Sequence, residues 1–381
     1  MSEKSPRPGE WALDPVMNDF VFPLFPSGLD SSVITTVWIG VIVVSFFTLR
    51  FGWVGSGLVV PGYVVPLLIV KPWVAAVILI ESCITYFIVW TLSEYLSRWG
   101  KWSSLFGRDR FFALLLFSII VKVLFDGWIL PAAGEFLNET FHLTFDYRNN
   151  LHSFGLIIVA LIANQFWKPG FFRGVIPLAV TVGISYAIVR FVLMEFTNFT
   201  ISNLGYLYED IAASILASPK AYIILLTTAF IASRMNLRYG WEFNGILVPS
   251  LVTLLWYNPQ KVLVTFIESF IVLQLAVLVL RTPLFRTATI EGIRKILLFF
   301  HVSFAYKFAL AYLMLWLTPE TKITDFFGFG YLIPTLIAIK MHDTEAVART
   351  MRVTVQTSLA SLAVASIAGF ALTFLPGLPS R

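Results

Sequence analysis

The sequence predicts an all-α, polytopic membrane helix bundle of two parallel tandem repeats, and three observations carry that expectation. Of 381 residues, 58% are hydrophobic and only 13% charged, too little polar surface to close a soluble shell around a core. The apolar residues gather in runs of about twenty, the length that crosses a roughly 30 Å hydrocarbon core. One stretch occurs twice: Arg50-Phe-Gly-Trp-Val-Gly-Ser-Gly-Leu-Val-Val-Pro61 and Arg238-Tyr-Gly-Trp-Glu-Phe-Asn-Gly-Ile-Leu-Val-Pro249 are 188 residues apart throughout, with no gap. Each copy sets glycine and proline inside a lipid-soluble run, where an unbroken helix would satisfy its own backbone. The interruption therefore predicts re-entrant or broken helices.

The chain divides into a polar tail (1–31), a first unit (32–194), a connector (195–219) and a second unit (220–381). In the first unit, spans are expected over Ser32–Leu49, Trp73–Leu96, Phe111–Leu130 and Phe171–Met194. The glycine/proline stretch lies between the first two. An acidic loop with Glu135, Glu139 and Asp146 follows the third, and then a second short element, Phe154–Asn164. The second unit repeats this order. Ile267-Glu-Ser269 answers Ile80-Glu-Ser82, Lys307 answers Lys122, each with a serine four residues earlier, and Phe329–Ala338 answers Phe154–Ala163.

Two basic loops are equivalent, one with Arg98, Lys101, Arg108 and Arg110, the other with Arg281, Arg286, Arg294 and Lys295. The positive-inside rule puts both in the cytoplasm, so an even number of crossings separates them. Four spans per unit with re-entrant short elements satisfy this, and so do six with the short elements crossing as broken helices. The six-span arrangement also gathers Arg50, Lys168, Arg173, Arg238, Lys340 and Arg349 on the cytoplasmic side.

The net charge of +5 arises in these short loops and gives no reason to expect a nucleic-acid partner. Cys83 is the only cysteine, which excludes a disulfide framework. No basic region precedes a short apolar core in the first thirty residues, so no cleaved signal peptide is expected. His142, His152, His301 and His342 are scattered, with no pair at metal-ligand spacing. No phosphate-binding loop or dinucleotide fingerprint is present, and no cofactor is expected in this chain.

Glu81 and Glu268 sit mid-span, where a carboxylate costs about 2.5–3.5 kcal/mol and should face a partner, water or the protein interior. Lys122 and Asp126 are spaced to neutralise each other on one helical face. Lys307 has Ala311 at that spacing, which leaves Glu268 as its candidate partner. Ser118 and Lys122 at i, i+4 are weak evidence for a nucleophile, because a serine bonding its own helix is commoner. These charged groups are either structural ion pairs fixing the bundle or the lining of a polar path or docking cleft. In the second case they act with Gly57, Pro61, Gly62, Gly155, Gly245, Pro249, Gly330 and Pro334, beside broken helix ends that favour anions. Close helix packing is the alternative role for the glycines.

Several collinear motifs resemble one family. Gly57-Leu-Val-Val-Pro-Gly-Tyr63, Gly107-Arg-Asp-Arg-Phe111, Val121-Lys-Val-Leu-Phe-Asp126 and Gly155–Asn164 with Lys168 and Gly170 are similar to the poly-γ-glutamate biosynthesis membrane protein family, PgsC/CapC. The resemblance covers Ser32–Met194, and the second unit looks like a diverged copy in which Gly62 becomes Ser250 and the Asp126 equivalent is lost. It implies a non-catalytic membrane subunit of a polymer synthesis and export complex in the cytoplasmic (inner) membrane. A cytosolic ATP-dependent amide ligase, carrying ATP and Mg, would be its partner, with a possible membrane-anchored accessory subunit and an anionic polymer as product. A free-standing anion transporter or exporter and an intramembrane acyl or amide transferase remain the alternatives.

Overall fold

The structure is a computed structural model that describes residues 22–53, 57–99, 105–141, 155–167, 169–201, 219–240, 247–286, 290–317, 326–328 and 330–372. The described residues hold no strand beyond an isolated bridge between Phe22 and Thr197. Among the described residues, seven helices are long and apolar enough to cross a membrane. The chain is an all-α, multi-pass membrane protein.

The first unit contains α1 (Val33–Phe51), α2 (Val60–Val70), α3 (Pro72–Trp90), α4 (Gly107–Leu124), α5 (Leu130–Phe141), α6 (Gly155–Gln165) and α7 (Phe171–Ile188). The second contains α8 (Pro219–Tyr239), α9 (Leu247–Leu255), α10 (Pro259–Leu280), α11 (Ile293–Leu317), α12 (Leu332–Thr344) and α13 (Val347–Leu372). Local chemistry sets several boundaries. Ser32 caps α1 by accepting from the Ile34 N–H, and Gly52 ends it at φ 68°. Gly240 ends α8 the same way at φ 60°, so the duplicated glycine serves one left-handed cap twice.

One boundary differs from the sequence expectation. Glu135 and Glu139 lie on α5, which continues α4 through a π turn over Phe125–Ile129. Pro131 has no N–H to give the helix. The wider turn, in which the Leu130 N–H bonds the Phe125 carbonyl, lets the rod pass the proline that would otherwise end it. The remainder of the expected acidic loop, including Asp146, lies outside the described residues.

Contacts identify the two ends of the bundle. At one end Arg110, opening α4, stacks over Trp167 at 5.1 Å. Tyr86 of α3 meets Phe166, Trp167 and Phe171 there, and Gly52 beyond α1 lines a cavity shared with Arg173. At the other end Phe22 bonds Phe196, Phe25 and Asn198 exchange two hydrogen bonds, and Tyr312 of α11 donates to the Leu24 carbonyl at 3.0 Å. Helix α1 thus runs toward the basic end, and α7 and α11 run away from it. Because α3 also finishes at the basic end, the chain from Gly52 to Pro72 returns to the far end through α2. Likewise α6 brings it back from α5 to Trp167. In the first unit α2 and α6 thus each carry the chain between the two ends, although α2 spans only about 16 Å of helix.

The interface between the units is reciprocal: α1 packs on α11 and α8 on α4. Trp38 stacks on Phe304 with centroids 4.1 Å apart. Phe112 meets Phe230 on the other side.

Candidate functional site

The mid-span charges sit where broken helices begin. In the second unit, residues 327, 328 and 330 precede α12 in non-helical backbone, and Phe327 and Gly328 are buried. A peptide group there has no water to bond, so the protein must supply partners. The Gly328 N–H donates to Glu268 Oε2 at 2.6 Å, and the Phe327 carbonyl accepts from Lys261 Nζ at 3.1 Å. Lys307 Nζ lies 2.5 Å from Glu268 Oε1, with the two side chains 0% and 2% exposed, and 4.6 Å from the centre of the Phe327 ring. Glu268 therefore binds a cation with one oxygen and fixes an otherwise orphaned backbone donor with the other. Lys261 and Gly328 were not singled out from sequence; a lysine in the first turn of an apolar helix was the available signal.

The first unit builds the same place differently. Lys122 Nζ pairs with Asp126 Oδ2 at 3.2 Å, the lysine buried and the aspartate 39% exposed within the π turn. Glu81 is 0% exposed, and neither of its oxygens has a hydrogen-bond partner among the described residues. The i, i+4 pairing and the Lys307–Glu268 pairing are thus both present, and Ala311 explains the difference. Without an aspartate one turn on, Lys307 turns to the glutamate across the helix contact. Ser118 donates to the Leu115 carbonyl at 2.8 Å, a bond within its own helix.

The prolines Pro61, Pro249 and Pro334 fall in the first turns of α2, α9 and α12, where a missing N–H breaks no helical bond. Gly62 is a packing residue. A Cβ there would lie 2.2 Å from Val37 Cα, and one on Gly40 2.6 Å from Gly62 N, so α1 and α2 cross backbone to backbone. The second unit has Thr228 and Ser250 in these places and joins the equivalent helices partly through the Thr228 and Thr253 hydroxyls, 3.4 Å apart. Gly57 leaves room for Gln165, whose Oε1 lies 2.2 Å from where a Cβ would stand. Gly330 takes φ 61° ahead of α12, and Gly155 opens α6. Gly245 lies outside the described residues.

The basic residues edge one face. Arg98, Arg281 and Arg294 are exposed there, Arg110 is held over Trp167, and Lys295 pairs with Asp343. The backbones of Arg108 and Arg286 belong to α4 and to the short helix Pro283–Arg286. Lys101 lies outside the described residues. Arg50 and Arg238, at the ends of α1 and α8, are exposed as well.

Comparison with known proteins places this architecture. The family described as Capsule biosynthesis CapC matches residues 39–175 and again 227–350. The chain is 32% identical over 171 residues to the capsule biosynthesis protein CapC of Bacillus anthracis, covering 45% of this chain and 93% of that protein. It is 31% identical over 134 residues to the PGA biosynthesis protein CapC of Bacillus subtilis (strain 168), covering 35% of this chain and 76% of that protein. No solved structure matches. With both halves of its length matched to one family, and each match spanning the helices that form the charged junctions, the chain belongs to the capsule biosynthesis CapC family.

Proposed function

We propose that this protein is the non-catalytic membrane subunit of a system that makes and exports poly-γ-glutamate or a related amide-linked polymer of the capsule. The reading assigns the basic end to the cytoplasm, where it holds an ATP-dependent amide ligase and meets the anionic product as it forms. ATP and Mg belong to that ligase in this scheme, and a membrane-anchored accessory subunit is a further partner. One observation carries the reading: the exposed arginines of the two units share one end of the bundle, with Arg98 beyond α3, Arg281 just after α10 and Arg294 in the first turn of α11. Such a surface attracts a polyanion and an acidic docking face alike. The relatives' names supply the polymer.

Extraction in mild detergent through a carboxyl-terminal tag, followed by identification of co-purifying proteins and assay of ATP-dependent incorporation of labelled glutamate, tests this. A stoichiometric soluble ligase with polymer extension is the expected result. A protein that purifies alone and incorporates nothing overturns it.

A further inference from the structure

Two carboxylates share one ammonium in the middle of the first unit. Glu81 of α3 is fully buried, and neither of its oxygens has a hydrogen-bond partner among the described residues. Lys122 of α4 is buried too and near enough for its charge to act on Glu81, yet it pairs with Asp126 one turn on. Thr85, one turn beyond Glu81, is buried and likewise has no hydrogen-bond partner among the described residues. Helix α3 packs on α2, α4 and α6. Of these, α6 has no titratable side chain, α2 has only Tyr63, and α4 with its π turn brings Lys122 and Asp126 as mid-span charges. From the second unit, Tyr222 of α8 lies within electrostatic reach of both carboxylates. Two carboxylates against one ammonium leave one negative charge over, and a surplus charge inside a membrane bundle needs a compensating cation.

The second unit displays the other arrangement of the same pair. Lys307, the counterpart of Lys122, meets Glu268, the counterpart of Glu81, at 2.5 Å. A lysine at this place can therefore reach the glutamate across the helix contact. Ala311 removes the competing aspartate there, and a second lysine, Lys261, donates to the nearby Phe327 carbonyl at 3.1 Å. In the register that matches Ile80 with Ile267, the first unit has Val74 in place of Lys261, and Thr85 where the second has Val272. Its glutamate thus has fewer cations around it and one more polar neighbour. Ser153, which answers Gly328, lies outside the described residues; a backbone N–H carries no charge and leaves the surplus as it is.

We infer that Glu81, Lys122 and Asp126 form a proton-binding site in which one proton and one lysine trade places between two carboxylates. With Lys122 on Asp126, Glu81 holds the proton as a neutral carboxylic acid. When Lys122 swings to Glu81, as Lys307 sits on Glu268, the Glu81 O–H bond breaks and the proton goes to Asp126, which has lost its cation. The lysine stays an ammonium throughout. Both arrangements are neutral and leave no buried charge unpaired, the condition under which two states of a buried ion pair can be close in energy. Asp126 is 39% exposed and Glu81 not at all, so the proton is exchanged at Asp126 and stored at Glu81. Asp126 lies on a π turn, an irregularity frequent at functional sites. Neither arrangement needs a polymer or a ligase, so the site stands or falls apart from the proposed function.

Infrared difference spectra of the purified full chain in nanodiscs, stepped in pH with and without sodium ions, read the C=O stretch of a buried carboxylic acid. One such band should be present at neutral pH and lost in Glu81→Gln. Asp126→Asn should lose it as well, because the freed lysine pairs with Glu81 and displaces its proton. A glutamate merely packed as a neutral acid would keep its band in that variant. Lys122→Met should strengthen the signal, since both carboxylates then need protons. The Asp126→Asn comparison reads Glu81 in place and alters only a part-exposed side chain of the same size, so it holds even where the Glu81 variant fails to fold. The assignment is overturned by a band that persists in Asp126→Asn, by the absence of any such band in the unaltered chain, or by a band that sodium ions remove at constant pH, which would mark a metal-cation site instead.

Discussion

Glu268 and Glu81 occupy equivalent places, and the structure gives them opposite energetic weights. Replacing Glu268 by leucine strands the Lys307 ammonium, 0% exposed, and breaking a buried pair from one side costs about 3–5 kcal/mol. It also removes the acceptor of the Gly328 N–H, worth about 1–3 kcal/mol when a buried donor is left unmade. The two losses share a residue and do not simply add, so about 4–6 kcal/mol is expected. Glu268→Gln keeps an oxygen for Gly328 and should cost about 3 kcal/mol, mainly the loss of charge. Pairing Glu268→Leu with Lys307→Met removes the stranded cation and should recover all but about 2 kcal/mol. Glu81→Leu removes two oxygens that have no hydrogen-bond partner among the described residues and should be neutral or stabilising.

Thermal unfolding followed by tryptophan fluorescence, with size-exclusion profiles in one detergent, ranks the four variants. Against a total stability of about 5–15 kcal/mol, Glu268→Leu should aggregate while Glu81→Leu melts with the unaltered protein. If Glu81→Leu is as damaging as Glu268→Leu, or the double variant is no better than Glu268→Leu alone, the unequal pairing described here is wrong.

Three further outcomes follow from the same contacts. Gly62→Ala, which drives a Cβ to 2.2 Å from the Val37 backbone, should cost about 1–3 kcal/mol or more as overpacking, while Ser250→Gly should change the melting midpoint little. Pro61→Ala and Pro334→Ala should each stay within about 1 kcal/mol, because proline in a first turn breaks no helical hydrogen bond that alanine would restore, whereas Val64→Pro inside α2 should cost about 3 kcal/mol; circular dichroism melts compare them. In a Cys83→Ser background, cysteines at Asp30 and Glu135 should react with an impermeant maleimide from outside, and those at Arg98 and Arg50 only after permeabilisation. Labelling of position 50 from outside would restore four legs per unit.

Sequence showed the duplication, the Lys122–Asp126 spacing and the orphaned Lys307, because each is a matter of identity at a fixed interval. It also supplied the two basic loops. It could not choose between four and six legs, since an eleven-residue apolar element reads alike whether it turns back or completes a crossing; only Arg110 on Trp167 and Asn198 against Phe25 fix the ends. The helix over Glu135 was read as loop because Pro131 normally stops a helix, and a π turn leaves no periodicity signal. Gly62 was weighed as part of a path because sequence does not show what lies beside a glycine. Its replacement by Ser250, with Thr228 opposite, was the available hint that a contact had been rebuilt. The packing of Gln165 against Gly57 was invisible for a plainer reason: a buried polar group without a hydrogen-bond partner is defined by its surroundings.

The irregular turns are unevenly shared. Among the described residues, the π turns at Thr91–Tyr95, Phe125–Ile129 and Val189–Leu193 all belong to the first unit. So does Glu81, a buried carboxylate with no hydrogen-bond partner among those residues, while buried hydroxyls without one occur in both units, Thr85 and Ser185 in the first and Ser303 and Thr357 in the second. The corresponding carboxylate of the second unit, Glu268, is met by Lys307 and Gly328. Buried groups left unsatisfied reduce stability, and irregular turns collect at working sites. A fused pair of units can tolerate an unmet carboxylate and irregular turns in one half when the other half has its carboxylate paired, and the reciprocal α1–α11 and α8–α4 contacts couple the two halves. In a homodimer of single units both copies would carry the same compromise. Fusion releases one copy from it, and the second unit's loss of the Asp126 equivalent and its gain of Asp343 are the changes expected of a copy reshaped to hold the first in place.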